Sequence, residues 1–106
     1  MIEASVVIPS YNRKWILKKA LKALFNQTYP VDKYEIILVD DGSTDGTEKM
    51  VRSLSSPCRL RYLRNKKRIG APKTRNRGIR EAKAEIIIFT DSDVTVSYTH
   101  LTLPTI

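Results

Sequence analysis

Carboxylates stand at two places in this sequence where they could do chemistry. Asp40 and Asp41 follow the apolar run Ile36-Ile37-Leu38-Val39 and lead into Gly42-Ser43-Thr44-Asp45-Gly46-Thr47. Asp91 and Asp93 flank Ser92 directly after a second run, Ile86-Ile87-Ile88-Phe89, and Thr90. Like charges side by side are costly unless a cation or a set of hydrogen-bond donors meets them. Asp91 and Asp93, one residue apart in a turn, could face the same hard cation, and oxygen-only ligands beside phosphate suit Mg²⁺ or Mn²⁺. Turn propensity alone makes Asp-x-Asp common; its place at the end of a buried strand gives it weight. A third feature is Gly70-Ala71-Pro72-Lys73-Thr74-Arg75. A glycine turn, a helix start and cations make an anion site, because free backbone N–H groups and the helix dipole already favour negative charge. Arg75, one turn in, is read as a phosphate contact, and Lys66, Lys67, Arg68 and Arg80 as a solvated basic face.

The elements that must position these residues alternate. Ala4–Pro9 reads as a first buried strand closed by Pro9, with Asn12 as N-cap of a helix over Lys14 to Asn26. On that helix Trp15, Ile16, Ala20, Leu21, Leu24 and Phe25 are taken as the core face and Lys14, Lys18, Lys19 and Lys22 as the wet one. Tyr34–Val39 is the second strand, and Asp45 with Glu48 has the spacing of a capping box for a short helix ending near Ser55. Leu60–Leu63 is a marginal third strand, its alternation weakened by Arg61 and Arg64. Pro72 to Lys83 is a helix, and Ile86–Phe89 the fourth strand. The two apolar runs are continuous and β-branched, as in strands buried on both faces. Strand and helix in alternation predict an α/β domain with a parallel sheet and right-handed crossovers, so Asp40 and Asp41 fall at a strand's C-terminal end, where such sheets bind ligands.

With 106 residues, 42% hydrophobic and 28% charged, the chain has the composition of a globular domain rather than a disordered segment. No apolar run approaches the length of a membrane span, and the first ten residues do not resemble a signal peptide. The single Cys58 excludes an internal disulfide and a cysteine-based zinc site, and a reducing, cytoplasmic setting fits. The net charge of +8 is not spread evenly: residues 1–58 carry +1, residues 59–84 carry +10 and residues 85–106 carry −3. That points to a localised anion partner.

Taken together, Val7-Ile8-Pro9-Ser10-Tyr11-Asn12-Arg13, Gln27-Thr28-Tyr29-Pro30, Val39 to Thr47, Gly70 with Arg75-Asn76 and Gly78, and Asp91-Ser92-Asp93 resemble the family 2 glycosyltransferases. That resemblance implies a three-layer, Rossmann-like GT-A fold, a sheet of about four strands with helices on both faces, and an inverting enzyme that uses a nucleotide-diphosphate sugar. It implies that Pro9 and Tyr11 border the nucleobase, Tyr11 by stacking. Asp41 would accept a hydrogen bond from the base, usually uracil, and Asp40 would shape that pocket. Arg75 would approach the diphosphate. Asp91 would lie near the ribose and the metal, and Asp93 would hold the divalent cation.

The resemblance runs from Ser5 to about Asp93, so residues 1–93 are expected to form the nucleotide-sugar-binding part. Residues 94–106 carry no charge and four threonines, and are expected to be foreign to the family. His100, the only histidine, lies there and is read as incidental. With no candidate base, the chain is expected to be a donor-binding fragment with little turnover, its acceptor (glycan, lipid or protein) undefined. Two alternatives rank lower. A sugar-phosphate nucleotidyltransferase would place a Gly-rich basic loop after the first strand, where Ser10-Tyr11-Asn12-Arg13 stands. A nucleic-acid-binding module over residues 59–84 would interleave aromatics with its cations, and only Tyr62 is present.

Overall fold

In the computed structural model, which describes residues 2–26, 28–84 and 86–89, the elements run β1 (Ala4–Ser10), α1 (Lys14–Phe25), β2 (Tyr34–Asp40), α2 (Thr47–Arg52), β3 (Arg59–Arg64), α3 (Ala71–Glu81) and β4 (Ile86–Phe89). The four strands form one parallel sheet in the order β3-β2-β1-β4. β1 and β2 are therefore interior and every residue of both is buried. The strand order reverses between β1 and β4, and that is the crevice where an open α/β sheet receives a ligand.

Alternate residues of the interior strands serve different layers. Val6, Ile8, Ile36 and Leu38 pack with Leu17, Leu21 and Leu24 of α1 and Met50 and Val51 of α2. On the other face α3 lies against β1 and β2. Gly78 makes that approach feasible, since a Cβ there would come within 2.4 Å of Val7 Cγ1 and 3.2 Å of Val39 Cγ2. Helices on both faces confirm the three-layer α/β expectation.

Several local expectations are corrected. The core stripe of α1 is Leu17, Ala20, Leu21 and Leu24, a set spaced i, i+3, i+4, i+7. Trp15, expected in the core, lies about 200° around the helix from Leu17 at roughly 100° per residue, and is 67% exposed. Ile16 is exposed as well. Asn12 does not cap α1: it takes a left-handed conformation (φ 49°), and the N–H of Lys14 donates instead to Asp45 Oδ2 at 3.0 Å. Asp45 also accepts from the N–H of Thr47, but Glu48 does not complete a capping box. It pairs with Arg52, one turn on. Pro9 does not end β1, which runs on to Ser10. The β4 pairing stops at Val7, so no β4 partner requires the N–H that proline lacks.

β3 is a full edge strand, not a marginal one. Leu60 and Tyr62 pack toward the core, while Arg61 reaches the opposite layer and donates to the Glu81 carbonyl at 2.7 Å and carboxylate at 2.6 Å. The arginine that blurred the alternation ties the sheet edge to the end of α3.

Candidate functional site

The C-terminal ends of β1, β2 and β3 are in register at Ser10, Asp40 and Arg64. The ladder continues one step further, the N–H of Asp41 donating to the Ser10 carbonyl and the N–H of Asn65 to the Asp40 carbonyl, both at 2.8 Å. The site is assembled on this rim from three loops.

Asp40 is fully buried and its two oxygens serve different neighbours. Oδ1 accepts from the N–H of Ser43 at 2.9 Å, closing the turn after β2. Oδ2 accepts from the Tyr62 hydroxyl, whose pKa is pushed well up by burial and by the Asp40 carboxylate. Asp41 faces the α3 side and is 3% exposed. Its Oδ1 accepts from Asn65 Nδ2 at 2.9 Å and the N–H of Ile69 at 2.8 Å, and Oδ2 accepts from the N–H of Gly70 at 3.0 Å. Burial pushes the Asp41 carboxyl up, but these donors outweigh it and hold the group below the ordinary carboxylate value. With the Thr74 side chain acting in the same direction, the carboxylate is held charged in place.

The glycine turn before α3 therefore differs from the expected anion cradle. Two of its N–H groups, those of Ile69 and Gly70, already point at Asp41. Thr74, fully buried, donates its hydroxyl to the Gly70 carbonyl at 2.7 Å and accepts from Asn65 Nδ2 at 3.1 Å. Arg75 follows it, half-buried on the first turn and a half of α3. Gly42 is needed for its left-handed backbone (φ 81°) and for closeness, a Cβ there meeting the backbone of Lys67 and Arg68 at 3.4 Å.

The loop after β1 is locked to the loop after β2. The N–H of Asn12 donates to Ser43 Oγ and the N–H of Thr44 to Asn12 Oδ1, each at 2.8 Å. Tyr11 is thereby held at the rim, and the Arg68 guanidinium lies over its ring at 4.1 Å from the centroid. Arg68, expected to be merely solvated, is a stacking partner. Ser10 Oγ, buried at the same rim, has no hydrogen-bond partner among the described residues.

The structure thus gathers Pro9, Tyr11, Asp40 and Asp41 around one end of the sheet, and Arg75 lies on α3, whose preceding turn meets Asp41. Asp91, Asp93, His100 and the boundary at residue 94 lie outside the described residues. Among the described residues no three His, Cys, Asp or Glu side chains are grouped to hold a metal ion, and the oxygens of Asp40 and Asp41 are engaged by protein donors. Sequence reasoning missed Asn65, Thr74, Ser43 and Ser10. Their signal was small polar residues at the ends of strands or four residues past a turn glycine.

A doubly wound α/β sheet with a polar rim at the C-terminal ends of its strands is the frame of nucleotide-binding proteins. The sequence model of glycosyl transferase family 2 matches residues 5–103, and the chain belongs to that family. It is 40% identical over 90 residues to glycosyltransferase AglE of Haloferax volcanii, covering 84% of this chain and 30% of AglE. Among solved structures, S. aureus TarS with UDP-GlcNAc superposes with a TM-score of 0.81 at 32% identity, over 87% of this chain and 27% of that one. The mannosyltransferase PcManGT of Pyrobaculum calidifontis, with GDP-Man and Mn²⁺, gives 0.81 at 34% identity over 86% and 27%. The fold is thus the GT-A fold. The chain spans less than a third of the length of these relatives.

Proposed function

We propose that this chain binds the nucleotide diphosphate of a sugar donor, UDP-linked, on the rim formed by Tyr11, Asp41 and the start of α3, as the donor half of a glycosyltransferase. The observation that carries the reading is Asp41: Asn65, Ile69 and Gly70 fix its charged carboxylate at the strand ends, where it would accept an N–H of a nucleobase. Tyr11, next to the Asn12 that locks the two loops together, offers its ring to the base, with Pro9 two residues before it on β1 and Asp40 closing the turn after β2. Arg75, on α3, would supply the positive charge for a diphosphate, since the Ile69 and Gly70 N–H groups are turned to Asp41. Ser10 Oγ supplies an unused polar group at the same place. The similar structures named above hold UDP-GlcNAc and GDP-Man, which supports a nucleotide-sugar donor.

A divalent cation, Mn²⁺ or Mg²⁺, fits the donor chemistry of Asp91 and Asp93, two oxygen-only side chains one residue apart. When bound it supplies positive charge beside the diphosphate. Arg75 adds a fixed cation to the same leaving group, and an environment organised before the bond breaks is what lowers the barrier. We place the acceptor site and the catalytic base outside this chain, so that turnover by it alone is small. Equilibrium dialysis of UDP with and without Mn²⁺ tests the reading. Binding should need the metal and fall at least tenfold in Asp93→Ala; metal-independent binding, or none at all, would sink it.

The nucleic-acid reading loses its basis in the same geometry. Five of the eleven cations in residues 59–84 are engaged internally: Arg59 with Glu35, Arg61 with Glu81, Arg64 with the Ser43 carbonyl, Arg68 with Tyr11 and Arg77 with Asn65.

A further inference from the structure

We infer that the outer face of α1 docks on an anionic lipid surface. The core stripe Leu17, Ala20, Leu21 and Leu24 has a counterpart on the opposite side of the helix with the same i, i+3, i+4, i+7 spacing, Trp15, Lys18, Lys19 and Lys22. Trp15 is 67% exposed and Ile16 beside it 41%. The ammonium groups of Lys14 and Lys18 lie 4.6 and 5.7 Å from the centre of the Trp15 ring. α1 contains no acidic residue, and none of Lys18, Lys19 and Lys22 pairs with a carboxylate among the described residues.

Charge complementarity selects the occupant. A second copy of the chain would bring like charge against like. A nucleic acid would match the lysines and could stack a base on Trp15, but would leave the aliphatic Ile16 with nothing apolar to enter. An anionic bilayer answers both, because tryptophan prefers the headgroup boundary and lysines just outside it gain from the negative surface potential. The stripe begins three residues after Asn12, which lies in the loop that holds Tyr11, so a membrane under α1 would lie beside the rim without occupying it. No described helix is long and apolar enough to cross a membrane; the contact is one of adsorption.

Trp15 is the only tryptophan of the sequence, so its emission reports the contact directly. The 106-residue chain is mixed with vesicles of phosphatidylcholine alone and with vesicles of equal phosphatidylcholine and phosphatidylglycerol. A blue shift is expected only with the anionic vesicles, reversed by added salt. Each lysine removed should weaken partitioning about fivefold. The triple variant Lys18→Glu, Lys19→Glu, Lys22→Glu, all on the surface and checked for folding by circular dichroism, should lose the shift. No shift with anionic vesicles, an equal shift with neutral ones, or full retention in the triple variant would overturn the inference. UDP binding plays no part in the readout, so this test and that of the donor site fail independently.

Discussion

Two carboxylates on β2 and the turn after it do the same job at opposite ends of the sheet, and the contrast between them separates scaffold from site. At the lower end Glu35 is fully buried. Its Oε2 accepts from Ser5 Oγ at 2.7 Å and the N–H of Lys83 at 2.9 Å, while Ser5 Oγ accepts from the N–H of Ala84. At the upper end Asp41 accepts from the N–H groups of Ile69 and Gly70. Helix α3 is strung between them, its start held by one and its exit by the other. The difference lies in what remains. Glu35 Oε1 is sealed in, with Arg59 Nε 3.9 Å away and no hydrogen-bond donor among the described residues; Asp41 sits at the C-terminal ends of the strands, on the rim. The same chemistry is a fastening at one end and a candidate binding group at the other.

The largest effect should come from breaking the lower fastening. Glu35→Ala leaves the Ser5 hydroxyl and the Lys83 N–H buried without an acceptor, and urea unfolding should show a loss of about 4 kcal/mol. UDP affinity per folded molecule should be unchanged. Asp41→Asn should cost about 2 kcal/mol and also weaken UDP at least tenfold, separating the two ends. Because the folded state holds the Asp41 carboxyl below its ordinary value, its contribution is full above about pH 4 and is lost as pH falls through the lower folded value. The acid limb of the stability profile should therefore be flatter in Asp41→Asn than in the parent chain.

Between the two carboxylates, Gly78→Ala drives a methyl into Val7 and should cost about 2 kcal/mol by overpacking. If α3 is levered off the sheet it should also weaken UDP through Arg75, whereas a purely local cost would leave affinity intact. The smallest effect on stability is expected at Ser10→Ala. Its hydroxyl is buried without a partner among the described residues, so removal should leave stability within about 0.5 kcal/mol while lowering UDP affinity.

Much of the fold was legible in the sequence because it rests on signals carried by single segments. β1 and β2 are interior and β4 pairs directly with β1, their runs are largely apolar, and the ends of all three fall within a residue of those expected. What was not legible depends on partners far along the chain. Arg61 spoils the alternation of β3 only until Glu81, twenty residues on, is seen to receive it. Asp45 looks like the cap of its own helix but shares its carboxylate with Lys14 of α1. Trp15 failed for a different reason: it was counted by helical spacing in a stripe that left out Leu17, although the leucine phase at 17, 21 and 24 turns it outward. Within the site, the carboxylates were legible as costly and in need of donors, and their place at strand ends was right. The identity of those donors was not, because Asn65, Ile69 and Gly70 meet Asp41 only after β3 has been laid beside β2.

The central claim, that the upper rim receives a nucleotide diphosphate, is tested most directly by titrating UDP and Mg²⁺ into the isotopically labelled chain and following backbone amide shifts. The account predicts saturable changes at Tyr11, Asp41 to Ser43 and Ile69 to Arg75, with Glu35, Lys83 and the outer edge of β3 silent. Changes centred on the lower end or on β3, or a spectrum that UDP leaves untouched, would contradict it.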